Sequence, residues 1–188
     1  MQKLAIHVLG PLGVMLDDAP VTAFKSDKVR ALLAYLAISA DQVHRREFLA
    51  ALIWPDFPEV RARRNLSQAI YSLRTILGDR DASQQPILIV TPETLQLNPE
   101  NPHWVDLVEF NHMIEACDGH LHHLLATCQP CQERLQQAIS LYAGDLLEGF
   151  YLPDSAAYEE WVLVQRERTR QKVSRALSIL VASHERQG

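Results

Sequence analysis

Arg61, Arg64, Gln68, Tyr71 and Thr75 follow one another at steps of three and four residues, which lines them along one face of an α-helix. Asn65, Ser67, Ser72 and Arg74 flank that line. Guanidinium forks, carboxamides and hydroxyls presented together can hold phosphate oxygens and read base edges in a DNA major groove. Within residues 59–77 the sole carboxylate is Glu59, at the start. The opposite face repeats Leu66, Ile70, Leu73 and Leu77, so the helix has an apolar side to bury. A merely solvated helix can also carry a basic outer face. The order of the surrounding elements separates the two readings.

A second group of reactive side chains lies at residues 117–131. Two residues separate Cys117 from His120, two separate Cys128 from Cys131, and His122 and His123 lie between the pairs. All three cysteines and three of the eight histidines are gathered there. Pairs at this spacing let adjacent ligands reach one tetrahedral zinc, and three thiolates with one imidazole close its shell. The expectation is a structural zinc on Cys117, His120, Cys128 and Cys131, with His122 the replacement for His120. Against it stands the reading of Cys117 and Cys131 as small buried residues on facing helices, with surface histidines. A Cys128–Cys131 disulfide is a lesser alternative, disfavoured in a reducing compartment.

Nothing else offers catalysis. Gly10 and Gly13 lack the third glycine and following helix of a phosphate loop, and Asp17-Asp18 reads as a solvated turn. A metal-dependent hydrolase on the Cys/His loop would need an open coordination position and a general base, and no candidate base is present. Tyr151 and Trp161 sit in apolar patterns and read as core. The chain is expected not to be an enzyme.

The elements that must position these residues follow from apolar periodicity and turn signals. Residues 4–16 read as two short strands broken at Gly10-Pro11, residues 17–20 as a turn, and 21–24 as a third strand. Ser26 or Asp27 can cap a helix to about residue 40, with Leu32, Leu33, Leu36 and Ala37 turned inward. A second helix spans 44–54, with Phe48, Leu49, Leu52 and Ile53 apolar, and stops before Pro55. After the loop at 56–58 comes the Arg-rich helix, then a hairpin at 87–97 turning at Pro92-Glu93. A hairpin behind a third helix is the arrangement of a winged helix-turn-helix. Residues 98–102, NPENP, form a linker by composition. Beyond it residues 106–117, 131–142 and 155–185 read as helices, in pairs that suit a tetratricopeptide-like array.

Composition sets the bounds. With 188 residues, 47% apolar and 22% charged, the chain is ordinary globular material of one or two domains. No run approaches the roughly 20 apolar residues of a membrane span, and the N-terminus lacks a signal peptide's features. The reading is cytoplasmic, with reduced cysteines. The net charge of −5 hides an asymmetry: residues 1–98 hold 11 Lys/Arg against 10 Asp/Glu, residues 99–188 hold 7 against 13. Clustering counts for more than net charge in phosphate contact, and Arg45, Arg46, Arg61, Arg63, Arg64 and Arg74 are clustered. The acidic second half suits a protein partner.

The ordered motifs carry a resemblance. Leu9-Gly10-Pro11-Leu12 with Val14, the helix LLAYLA, Arg45-Arg46-Glu47-Phe48-Leu49, Leu52-Ile53-Trp54-Pro55-Asp56, Arg64-Asn65-Leu66 and Ser72-Leu73-Arg74-Thr75-Ile76-Leu77 resemble the Streptomyces antibiotic regulatory protein (SARP) family. LYAGDLLEGF at 141–150 and Glu159-Glu160-Trp161 resemble the bacterial transcriptional activator domain that follows in that family. The resemblance implies a mainly α fold with small β: an OmpR/PhoB-type winged helix at residues 1–98, then an all-α tetratricopeptide-like activator domain at 103–188. It implies an N-terminal fragment of a longer regulator, with His44 where relatives often carry a serine cap. It also implies DNA contact by Arg45, Arg61, Arg64, Asn65, Gln68, Tyr71, Ser72, Arg74 and Thr75, with Arg74 on a phosphate. Implied partners are double-stranded DNA at promoter direct repeats, as a dimer or tandem monomers, and RNA polymerase through the loop Asp56, Phe57 and Glu59. DNA binding itself needs no cofactor in this reading. The wing turn 91–94 carries no Arg or Lys. A protein-interaction module on a winged-helix scaffold that does not bind DNA is the alternative.

Overall fold

The computed structural model describes residues 3–79, 85–120 and 127–187. The chain opens with β1 (Leu4–His7), β2 (Gly13–Leu16) and β3 (Ala19–Pro20), a meander paired antiparallel. Asp17 and Asp18 both take positive φ, 51° and 62°, as a tight turn of this hand between right-twisted strands demands. The third strand therefore starts at Ala19, earlier than the 21–24 segment that its β-branched residues suggest. Val21 only adds a backbone bond to Val14.

The helices α1 (Asp27–Ile38), α2 (Arg46–Ile53) and α3 (Glu59–Ile76) form the three-helix core of a helix-turn-helix. Residues 31–37 of α1 are buried on every side, because other elements surround this helix. Helix α2 starts two residues later than its apolar pattern suggests. His44 and Arg45 are drawn into a strand, β4 (His44–Arg45), which pairs with β6 (Thr94–Leu97) of the wing. Phe48, grouped by sequence with the apolar side of this helix, is half exposed and not a core residue. β5 (Leu88–Val90) completes the wing in the order β4-β6-β5.

Helix α3 ends in a Schellman closure. Gly78 adopts φ +68°, its N–H reaches the Thr75 carbonyl at 3.3 Å, and the Asp79 N–H reaches the Arg74 carbonyl at 2.8 Å. This turn aims the buried Asp79 carboxylate at the backbone N–H groups of Ile87 and Leu88, at 2.7 and 3.1 Å. The recognition helix and the wing are thereby joined at one residue.

The segment at 98–102 is a built corner rather than a loose linker. Asn98 and Asn101 are buried, and their side-chain amides donate to the carbonyls of Pro86 and Gln85 at 2.8 and 2.7 Å. The next residues form β7 (His103–Val105), which adds to β1 in parallel. Asp106, first in α4 (Asp106–Asp118), is 2% exposed, and its carboxylate accepts N–H groups from Val8, Leu9 and Leu107 at 2.7–2.9 Å. Then follow α5 (Gln129–Leu141) and the 32-residue α6 (Ala156–Gln187).

The LYAGDLLEGF segment between α5 and α6 folds against the end of β1. Ala143, Leu147 and Glu148 donate to the carbonyls of Leu9, Val8 and Gly10. Arg166 of α6 holds the segment through the carbonyls of Leu146 and Leu147, both at 2.7 Å, and Arg170 pairs with Asp145. The start of α6 packs on the first three helices: the Ser155 hydroxyl donates to the Leu52 carbonyl at 2.5 Å, and Trp161 lies 4.4 Å from Tyr35 between ring centroids. Tyr158, fully buried, sits beside Trp161 and Phe150. Tyr151 is exposed instead of core, with the Arg166 guanidinium over its ring at 5.8 Å. No described helix is long and apolar enough to cross a membrane.

Candidate nucleic-acid interface

Helix α3 divides as its periodicity demands. Ala62, Leu66, Ala69, Ile70 and Leu73 are buried against α1 and α2, whereas Arg61, Arg64, Gln68 and Thr75 are exposed and Asn65 is half-buried. Tyr71 is 57% exposed, a large aromatic left at the surface of a polar face. The Thr75 hydroxyl donates to the Tyr71 carbonyl at 2.8 Å, as Ser and Thr on helices commonly do.

Two of the expected contact residues are placed differently. Ser72 is buried, 3% exposed, between the apolar stripe and the polar face, so its hydroxyl does not reach the outer surface. The 100° steps put it on the flank, and helix–helix packing closed that flank. Arg74 is half-buried, with its Nε donating to the Asp79 carbonyl at 3.0 Å and lying 3.5 Å from the Asp79 carboxylate. It is first a brace between α3 and the wing.

Two arginines outside the expected set shape the interface. Arg46 donates to the Thr91 carbonyl of the wing at 3.0 Å and to the Ser67 hydroxyl of α3 at 2.8 Å. Arg63 pairs with Glu59 at 2.7 Å and Glu47 at 3.5 Å, which offsets the charge of these two acids beside the basic face. The sequence shows these arginines in the cluster but not which of them is occupied internally. Between α2, α3 and the wing lies a cleft of about 530 Å³ whose lining includes Arg45, Arg46 and Arg63 together with the carboxylates Glu47 and Glu93.

The wing turn is a tight, self-contained knot. The Thr91 Oγ1 accepts the Thr94 and Glu93 backbone N–H groups at 2.8 and 3.2 Å and meets the Thr94 hydroxyl at 2.7 Å. Its tip is Pro92-Glu93, without a cation. Arg45 is exposed on β4 opposite Thr94, so positive charge flanks the wing from its neighbouring strand.

The loop after α2 is only partly open. Asp56 is exposed, but Phe57 is half-buried, covered by the Arg61 guanidinium at 4.7 Å and the Lys28 ammonium at 5.7 Å. Glu59 is taken by Arg63. Val60, 83% exposed, is the open apolar side chain beside this loop.

The Cys/His group comes together at the junction of α4 and α5. The His120 Nδ1 lies 3.2 Å from the Cys131 sulfur and 3.3 Å from the Cys128 sulfur. The Cys117 thiol, buried, faces the Cys131 carbonyl at 3.6 Å. His122 and His123 lie outside the described residues.

Residues 24–93 match the model of the family described as transcriptional regulatory protein, C terminal. The transcriptional regulatory protein MoaR1 of Mycobacterium tuberculosis is 35% identical over 91 residues, covering 48% of this chain and 29% of that protein. The transcriptional regulatory protein EmbR of the same organism is 29% identical over 101 residues, covering 53% and 26%. A solved structure of Mycobacterium tuberculosis EmbR in complex with a low affinity phosphopeptide superposes over 96% of this chain and 46% of that one. Its TM-score is 0.71 at 23% identity, which establishes the shared fold across both halves. These matches span less than half the length of those relatives. Both relatives are described as transcriptional regulatory proteins. Residues 24–93 are thus similar to the C-terminal domain of transcriptional regulatory proteins, and the fold across 96% of the chain is shared with EmbR.

Proposed function

We propose that residues 1–98 bind duplex DNA sequence-specifically, with α3 in the major groove and the wing beside it. The observation that carries this is the outer face of α3, where Arg61, Arg64, Gln68 and Tyr71 are exposed while the nearby acids Glu47 and Glu59 are held by Arg63. Gln68 and Asn65 are the base readers, since a carboxamide matches the paired acceptor and donor of adenine. Arg61, Arg64 and Arg45 are the phosphate contacts. With no cation at the wing tip, Arg45 supplies charge on that flank.

The chain acts as an activator, binding as tandem copies or a dimer on promoter direct repeats. The surface formed by Asp56 and Val60, beside the half-covered Phe57, touches RNA polymerase. The relatives' descriptions as transcriptional regulatory proteins support this reading, as does the acidic helical half, which is suited to protein rather than DNA.

The test is fluorescence anisotropy on a labelled promoter duplex as salt is raised. Each phosphate neutralised contributes a slope of about 0.9 in log K against log salt. Arg61→Ala/Arg64→Ala, folded by circular dichroism, is expected to weaken binding to every sequence. Equal binding by parent and double variant, or a flat salt dependence, overturns the assignment in favour of a winged-helix scaffold for protein contact. A single 1:1 complex on repeat-containing DNA overturns the tandem arrangement.

A further inference from the structure

We propose that Cys117, His120, Cys128 and Cys131 form a closed structural Zn(II) site that clamps the C-terminus of α4 to the N-terminus of α5. The imidazole nitrogen of His120 and the sulfurs of Cys128 and Cys131 lie within 4.8 Å of one another. With Zn–S near 2.3 Å and Zn–N near 2.0 Å, the edges of a tetrahedral site are about 3.5 Å. The two observed nitrogen–sulfur separations, 3.2 and 3.3 Å, are close to that edge. The residue His120 is exposed, yet its Nδ1 is turned onto the two sulfurs. One imidazole nitrogen within hydrogen-bond distance of both sulfurs is the arrangement that a shared metal ion would replace.

The helix ends explain the spacing. Cys117 stands in the last turn of α4, and the His120 N–H returns to the Cys117 carbonyl at 3.3 Å as the helix closes. Cys128 is the N-cap of α5, and the N–H groups of Cys131 and Gln132 bond to its carbonyl. Each two-residue spacing therefore places two ligands on one side of a helix terminus. The buried Cys117 thiol, 3.6 Å from the Cys131 carbonyl, is the remaining thiol at this junction and completes the proposed set as fourth ligand. Soft thiolates with one imidazole select zinc over magnesium or calcium, and four protein ligands leave no position for water. The site is structural.

Such a clamp has a mechanical reason. Helices α4 and α5 are each 13 residues long, near the length at which an isolated helix is marginal. Cys117 and Cys131 lie in their shared buried surface beside Ile114 and Leu135. Metal binding fixes the helix pair where the connecting chain leaves and enters it.

The experiment uses the whole chain without a histidine tag. Elemental analysis is expected to find one zinc per chain that survives dialysis against a mild chelator. Replacement by Co(II) is expected to give the thiolate charge-transfer and d–d bands of a tetrahedral thiolate site. Cys128→Ser, at the most exposed of the sulfurs, is expected to lose zinc in the same dialysis while the winged helix stays folded and binds DNA. His120→Cys should retain zinc as a four-thiolate site, whereas His120→Ala should not, an order that a packing role for His120 would not produce. Protein with no bound zinc, no cobalt bands and three freely titrating thiols overturns the site. So does a parent whose zinc content is matched by Cys128→Ser.

Discussion

Arg74 of the recognition helix and Asp79 beyond its end form one unit: the arginine Nε donates to the Asp79 carbonyl at 3.0 Å and sits 3.5 Å from its carboxylate. That carboxylate receives two wing N–H groups, at Ile87 and Leu88. Asp79 therefore ties the end of the recognition helix to the wing, with Arg74 as its charge partner. Asp79→Ala leaves two buried N–H groups unpaired. It is expected to destabilise the domain by on the order of 3 kcal/mol in urea unfolding. Arg74→Ala should remove less, about 1 kcal/mol, because its side chain is partly solvated. A neutral Asp79→Ala would disconnect the wing from this account.

Base preference should follow Gln68 and Asn65. Each substitution to Ala is expected to weaken the preferred site by about 1–3 kcal/mol while nonspecific binding changes little. Arg61→Ala and Arg64→Ala should instead weaken all sequences alike and lower the salt slope by about 1 apiece. Competition against randomised duplexes measures both. A Gln68→Ala protein with the parent's preference profile would remove that residue from the reading set.

The wing should loosen in acid through His44. This residue is 6% exposed, its ring edge-on to Tyr35 at 5.0 Å and its Nε2 3.4 Å from the Ser39 carbonyl. Burial lowers its pKa below the usual histidine value, and the Ser39 carbonyl and Asp41 only partly oppose that. With the folded value depressed, the unfolded chain takes up its proton first as pH falls. Stability is thus whole above the ordinary histidine pKa and is lost progressively as pH falls from there through the folded value. The melting temperature of the parent is expected to drop between pH 7.5 and 5, and that of His44→Gln to drop less. Parallel curves would exclude His44 as the titrating group.

The two halves should unfold together. Ser155 reaches the Leu52 carbonyl, Asp106 holds the backbone of Val8 and Leu9, and Tyr158 is fully buried among residues of both halves. Tyr158→Ala opens a large cavity at this seam and is expected to destabilise by about 3–5 kcal/mol. Calorimetry of the parent should give one transition. Two separated transitions, with the first unaffected by Tyr158→Ala, would mean the seam does not couple the halves.

Much of this protein is legible in the sequence because its information is local. The steps of three and four that bury Leu66, Ile70, Leu73 and Leu77 also expose Arg61, Arg64 and Gln68, and Trp54-Pro55 and Gly78 end their helices where chain geometry requires. The spacing of the Cys/His pairs likewise reflects the ends of two helices. What the tertiary structure decided are the pairings between distant segments. Periodicity assigns His44 to a helix, yet a partner strand fifty residues away pulls it into the wing. Ser72 lies on a flank that only packing could close, and Arg74 and Arg46 each donate to a backbone carbonyl, a partner invisible in a pattern of side chains. The NPENP segment reads as a linker by composition and becomes a corner because two asparagine amides find carbonyls there. Asp106 reads as an ordinary first-turn acid; only the folded chain brings the N–H groups of Val8 and Leu9 to it, across nearly a hundred residues.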